Sequence, residues 1–302
     1  MVTSPRLLTT VHGTNRAAFS LGDWGIFLSL VAIWGSSFLF IAIGLDHFHP
    51  GLVTLLRIGF GAGTVALVPR ARRIAVDRED WPRIAVLGLI WIALPLTFFP
   101  IAQQWINSAV AGMLNGAMPI FTALVATLLL RELPGRRQAL GLVIGFVGVA
   151  AISAPAADAG GTALIGVILV LAATVCYAVS TNLVAPLQQK YGALPVLARV
   201  QWVALLLVLP YGLIGVPDSE FAWSSMLATL AVGILGTGLA FVLMGTLSGR
   251  VGPTRASFIT YLMPVVALFL GVVFREDRVA GVAVVGAVLV IGGALLASRR
   301  EV

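Results

Sequence analysis

From Asp23 onward the chain is a succession of apolar stretches about 20 residues long, the length a helix needs to cross a hydrocarbon core of about 30 Å. Nothing else in the sequence constrains the fold so tightly. A segment surrounded by lipid must pair its own backbone N–H and C=O groups, and runs of this length do so as helices. The composition agrees: 59% of the 302 residues are hydrophobic and 10% charged, with a mean hydropathy of +1.03. Soluble domains carry roughly 25% charged residues. The chain is a polytopic membrane protein in contact with a lipid bilayer, not a soluble protein with a large core.

Ten spans are expected, near residues 24–45, 50–69, 83–105, 108–130, 138–154, 163–185, 194–216, 223–246, 253–274 and 279–298. Connections such as "INSA" and "FRED" are short, so consecutive helices should be antiparallel neighbours. Residues 1–22 are polar and lack the apolar stretch of a signal peptide, which makes them an N-terminal tail. Two five-helix units follow, 23–155 and 156–302. Orientation comes from Lys and Arg. Fifteen of the 19 lie in the tails and in alternate connections, only Arg275 and Arg278 lie on the other side, and Arg57 and Arg199 fall within spans. Both termini are therefore expected in the cytoplasm.

The chain also repeats itself. "MPIFTALVATLLLRE" begins at Met118 and "MPVVALFLGVVFRED" begins 145 residues later, at Met263. At the same shift Gly88 meets Gly233, Ala111 meets Ala256, Pro119 meets Pro264, Gly141 meets Gly286 and Gly148 meets Gly293. Each copy has five spans, an odd number, so the second must enter the membrane from the opposite side. The charges agree: "RELPGRR" is cytoplasmic, whereas its counterpart "REDR" is the one basic loop outside. Inverted repeats are the architecture of secondary transporters, whose halves rock about a midplane site. The expected fold is all-α, ten transmembrane helices in two inverted five-helix repeats around a central cavity. A duplicated scaffold or channel is the competing reading, and a membrane-embedded enzyme is the rival class.

Candidate site residues follow from the repeat. Pro119 and Pro264 lie mid-span at equivalent positions; proline lacks an N–H and should interrupt each helix, freeing the carbonyls of Asn115 and Thr260. Trp34, Ser37 and Phe38 share one helical stripe, and Tyr177, Ser180 and Thr181 share another. Aromatic and hydroxyl groups together suit a ligand with an apolar body and a polar head, though such stripes also simply pack. Arg57 sits about 10 Å into its span, where a charge is costly; it either braces carbonyls or Asp46, or meets a substrate carboxylate. Tyr261, Gln103 and Asn182 are further candidates. Trp24, Trp81, Trp105 and Trp223 stand at span ends as interface anchors, while Trp34, Trp91 and Trp202 lie deeper.

Several stretches resemble the EamA family of the drug/metabolite transporter superfamily. They include "AIWGSSFLFI", "PGLVTLLRIGFG" and "NSAVAGMLNGAMPIFTALVATLLLRELPGRRQALGLVIGFVGVAAI", with "CYAVSTNLV" and "ASFITYLMPVVALFLGVVFREDRVAGVAVVGAVLVIGGAL" in the second copy. Within the family the likeness is greatest to bacterial aromatic amino-acid exporters. It implies a multi-pass protein of the bacterial cytoplasmic membrane that exports amino acids, aromatic and other large apolar ones favoured, by alternating access; export of another small metabolite, a nucleotide sugar or a drug is the alternative. The chain departs from the family pattern where "CYAVS" stands for "WGSSF" and where Gln201 or Trp202 stands near the place of Arg57. Small multidrug antiporters of the same superfamily exchange a proton for a cationic drug at a buried carboxylate, which this chain lacks. A neutral or zwitterionic solute, moved by facilitated or weakly coupled transport, is expected instead.

Other chemistry finds little support. All 12 carboxylates fall in tails, loops or span ends, so no catalytic acid pair lies within the membrane. His12, His47 and His49 lack acidic partners, a weak metal signal, and no phosphate-binding glycine loop is present. No metal, cofactor or enzymatic activity is expected. A net charge of +7 could suggest nucleic acid, but the basic residues sit in short loops, the cytoplasmic-loop pattern. Cys176 is the single cysteine and reads as a small buried hydrophobe. Ten helices can enclose a site within one chain, so a monomer is expected.

Overall fold

Every apolar stretch is a helix in the computed structural model, which describes residues 20–72, 74–130, 135–159, 161–251 and 256–297. The ten are α1 (Leu21–Leu45), α2 (Pro50–Ala66), α3 (Arg78–Ala102), α4 in two pieces (Ser108–Asn115 and Met118–Leu130), and α5 (Arg136–Ala159). Then come α6 (Gly161–Tyr191), α7 (Ala193–Ile214), α8 (Trp223–Val251), α9 (Ile259–Arg275) and α10 (Gly281–Ala297). Among the described residues there is no strand. Seven of the helices are long and apolar enough to cross a membrane. The other three, α2, α9 and α10, have 17 residues each, about 25 Å of rise and at the short end of the spanning range. The expected tail at 1–22 lies almost wholly outside the described residues, as does the chain beyond Ala297.

Local chemistry sets the helix starts. Ser20 and Asp23 form a capping box on α1, the serine hydroxyl accepting from the Asp23 N–H and the Asp23 carboxylate accepting from the Ser20 N–H. Asn107 caps α4 by accepting from the Val110 N–H at 2.9 Å. Between α6 and α7 the chain turns at Gly192 with φ +84°, a left-handed conformation that only glycine adopts without strain. The outer surface inverts the soluble pattern: Leu28, Val143, Leu206, Phe269 and Val288 are each more than half exposed, as side chains facing lipid should be.

The packing obeys a two-fold relation between the halves. Helix α1 lies against α8 and α9, and α6 lies correspondingly against α3 and α4. Helix α2 packs on α8 as α7 packs on α3, while α2–α7, α4–α9 and α5–α10 pair across the axis. The glycines show it at atomic detail. A Cβ on Gly148 would lie 2.6 Å from the Gly286 carbonyl oxygen, and one on Gly293 would lie 2.6 Å from that of Gly141. Shifted by 145 residues, one contact becomes the other.

Hydrogen bonds sort the connections to two ends. At one end Arg275 grips Asp46 with two bonds of 2.8 and 2.9 Å, the Glu220 N–H donates to the His47 carbonyl, and the Asn107 amide donates to the Arg278 carbonyl. At the other end Lys190 meets Asp77 and Asp80, both at 2.8 Å, and Arg250 meets Asp23 at 3.5 Å. The single Tyr191 hydroxyl proton lies between the Asp77 and Asp80 carboxylates. Lys190 first, then that hydroxyl, holds the Asp77 carboxyl below the usual carboxylate range. Helix α1 thus ends at one pole and its counterpart α6 at the opposite one, which makes the halves inverted.

Of the two expected interruptions one is present: α4 is broken at Gly116–Ala117, just ahead of Pro119, where the backbone tightens through bonds from Gly116 to Met113 and from Ala117 to Leu114. Pro264 does not interrupt α9, which runs unbroken from Ile259; the turn comes earlier, at Ser257 and Phe258. Proline removes a single bond there, and its ring is accommodated by Gly116, where a Cβ would lie 2.5 Å from Pro264 Cγ. Conversely, α3 and α8 each widen into a π-helical segment, Gly88–Ala93 and Val232–Leu239, at equivalent places in the repeat.

Candidate functional site

The π segment of α8 organises the middle of the bundle. Such widened turns release backbone groups from the regular ladder and recur at functional sites. Gly233 within it admits the α2 backbone, since a Cβ there would lie 2.9 Å from the Arg57 carbonyl oxygen. Three side chains from three helices then converge on two consecutive residues. Trp34 Nε1 of α1 donates to the Gly236 carbonyl at 3.0 Å, and Arg57 Nε of α2 donates to Thr237 Oγ1 at 3.0 Å. Gln201 Nε2 of α7 donates to the Thr237 carbonyl at 2.6 Å. Trp34, Arg57, Gln201 and Thr237 all stand near the middle of their helices, the depth at which a carrier holds its solute.

Aromatic rings surround this polar centre in two chains. Trp34 and Trp91 each meet Phe241 edge-on with centroids 5.7 Å apart. Phe38 meets Phe99 edge-on at 5.5 Å, and Phe99 stacks on Tyr177 at 6.3 Å. All four pairs have favourable aromatic geometry. Tyr177 is also near enough to Arg57 for the two to interact electrostatically. Ser37 lies beside the π segment, 2.9 Å from where a Cβ on Gly236 would sit, though its hydroxyl donates to the Ile33 carbonyl. The structure thus brings together Trp34, Ser37, Phe38, Arg57 and Tyr177.

The remaining candidates make no described hydrogen bond to this centre. Ser180 is wholly buried and its hydroxyl is spent on the Cys176 carbonyl, so it packs. Thr260 turns its hydroxyl back to Ser257, and Tyr261 reaches the Ala294 carbonyl of α10 at 3.3 Å. Asn115 is buried at the break in α4, and its Oδ1 has no partner among the described residues. Asp46 is engaged by Arg275, and Arg57 makes no bond to it. Trp202, read as a deep residue, is about half exposed on the outer surface. Arg199 neither snorkels freely nor enters the site: it donates to the carbonyls of Ala71, Ile74 and Pro195. An outer groove lined by Val265, Phe269, Val272 and Val284 is apolar but for Asp277, whose carboxylate is already engaged by Ser108 and the Ala109 N–H.

Thr237 and Phe99 were not anticipated from sequence. The signals available were the glycine cluster of "GILGTGL" and Gln201 standing near the counterpart of Arg57. No metal-ligand cluster of three or more His, Cys, Asp or Glu residues occurs among the described residues.

Inverted helical halves around a polar, aromatic-walled midplane define a membrane carrier for a small molecule. The chain belongs to the EamA-like transporter family, whose model matches it twice, over residues 21–154 and 164–299. It is 29% identical to a "Probable terminal-alkyne amino-acid exporter" of Streptantibioticus cattleyicolor, covering 92% of this chain and 93% of that one. It is 26% identical to "Uncharacterized transporter YdfC" of Bacillus subtilis, covering 87% of each. A "Probable amino-acid metabolite efflux pump" of Salmonella typhimurium is 25% identical, over 90% of this chain and 93% of that one. In fold the chain is similar to a crystal structure 21% identical in sequence, with a TM-score of 0.60 over 91% of this chain and 96% of that one.

Proposed function

We infer that the protein exports amino acids, with aromatic and other large apolar side chains favoured, by alternating access across a bacterial cytoplasmic membrane. One observation carries this reading: Arg57, the only buried basic side chain among the described residues, stands mid-helix on Thr237, next to the carbonyl that Trp34 holds and near Tyr177, each of these rings belonging to a chain of aromatic contacts. A guanidinium can hold a carboxylate, and the rings can stack on a Phe or Trp side chain for about 0.5–1.5 kcal/mol beyond burial, which gives preference rather than strict selection. The printed names of two of the relatives above support the same class. The chain works as a monomer with both termini in the cytoplasm, the side favoured by fifteen of its 19 basic residues. With no described carboxylate near the midplane, transport is facilitated or weakly coupled, and drug-driven proton release is not expected.

Uptake of labelled Phe, Trp, Met and Thr into proteoliposomes, with protein-free vesicles as control, tests the substrate class. Phe and Trp should accumulate above control and Thr least. Accumulation of a sugar or cationic drug with no amino acid above control would refute it.

A further inference from the structure

Arg57 is a buried guanidinium with no counter-ion among the described residues. The carboxylates nearest the bundle are engaged at its two ends: Asp46 by Arg275, Asp277 by Ser108 and the Ala109 N–H, Asp23 by Arg250, and Asp77 and Asp80 by Lys190. Arg57 is 6% exposed; its Nε is used by Thr237, while its Nη1 is buried with no partner among the described residues. Beside it Gln201, wholly buried, gives Nε2 to the Thr237 carbonyl and keeps Oε1 unpartnered. An uncompensated charge at this depth is costly, so the site suits one unit of negative charge, such as a carboxylate. Among the described residues no acid stands beside it to match an ammonium group. What stands ready for a donor on the neighbouring carbon is neutral, the Gln201 amide oxygen.

We propose that Arg57, held in place by Thr237, is the seat of the solute carboxylate, and that this is the site's only charge recognition. The solute class is then wider than amino acids: carboxylates on an apolar or aromatic body, with an α-amino or α-hydroxyl donor reaching Gln201 Oε1 as a useful but dispensable addition. The proposal rests on the midplane cluster being the solute site. Thr237 acts as a positioning residue, aiming Arg57 from the π segment, while Gln201, anchored on the same residue, meets the solute without carrying charge.

The test uses the full-length protein in detergent and reads the rise in unfolding temperature with L-phenylalanine, 3-phenyllactate, 3-phenylpropionate, phenethylamine or phenylalaninamide. The three carboxylates should each stabilise the protein, phenylpropionate within about tenfold of phenyllactate in apparent affinity, and the two amines should not. Arg57→Gln should weaken every carboxylate at least tenfold. Gln201→Glu keeps the experiment informative if that variant fails to fold. It gives up the bond to the Thr237 carbonyl but supplies a counter-ion internally, so it should abolish the carboxylate shifts. Amines that stabilise as well as the acids do, or a Gln201→Glu protein that binds the acids like the parent, would overturn the proposal. If the two ammonium-free acids act and L-phenylalanine does not, the seat stands and the amino-acid reading falls. If no carboxylate acts, the seat itself is wrong.

Discussion

Asn115 and Ser180 are both polar residues inside apolar helices, and the structure separates them. The Asn115 Oδ1 is buried without a described partner, a cost of about 1–3 kcal/mol that a purely structural residue would not incur. Ser180 has no such cost, because its hydroxyl bonds the carbonyl one turn back. Asn115→Leu should therefore leave the unfolding temperature equal or higher while lowering amino-acid flux at least tenfold, and Ser180→Ala should keep flux within about twofold of the parent. Parent-like flux in Asn115→Leu would assign that residue to packing. The contrast also marks what sequence can show at this scale. A polar residue in an apolar run is visible at once, as Arg57 and Asn115 were. Whether a hydroxyl turns back on its own helix, as at Ser180 and Thr260, depends on a rotamer. The partners of Arg57 were hidden for another reason, since Thr237 lies 180 residues away in the chain.

Among the elements, α5 and α10 were the most legible, because their repeated glycines demand a close neighbour. The structure supplies it: a Cβ on Gly293 would lie 2.5 Å from the Gly145 backbone nitrogen and 2.6 Å from the Gly141 carbonyl oxygen. Backbone cannot yield as a flexible side chain can, so Gly293→Leu should destabilise by more than about 2 kcal/mol, seen as a lower unfolding temperature in detergent. An unchanged unfolding temperature would mean the α5–α10 contact is not as close as described. Helix ends were anticipated to within about six residues. Proline was expected to break α4 and α9 alike; α4 is broken just ahead of Pro119, but α9 carries its proline through because Gly116 opposite leaves room. The π segments were invisible for a related reason. One extra residue in a turn scarcely disturbs an all-apolar pattern, and only the match of Gly88 to Gly233 hinted at them.

At the scale of the whole molecule, the repeated phrase made the inverted halves legible, whereas the pairing of helices across the halves depends on the folded chain. Nearly every polar tie described at the two poles joins one half to the other, Asp46 to Arg275 at one and Lys190 to Asp80 at the other. Under the proposed alternating access, one set would open while the other holds. Gly135 and Ala280, equivalent positions just before α5 and α10, should lie on opposite sides of the membrane. In a Cys176→Ala background, Ala280→Cys should react with an impermeant maleimide in intact cells and Gly135→Cys only after permeabilisation; labelling from one side alone would remove the inverted arrangement. The most direct test of the account as a carrier is counterflow. Proteoliposomes loaded with unlabelled phenylalanine should take up labelled phenylalanine faster than empty ones, with a transient overshoot that saturates with concentration. Uptake indifferent to the internal amino acid and linear in concentration, or conversion of the label to another compound, would contradict it.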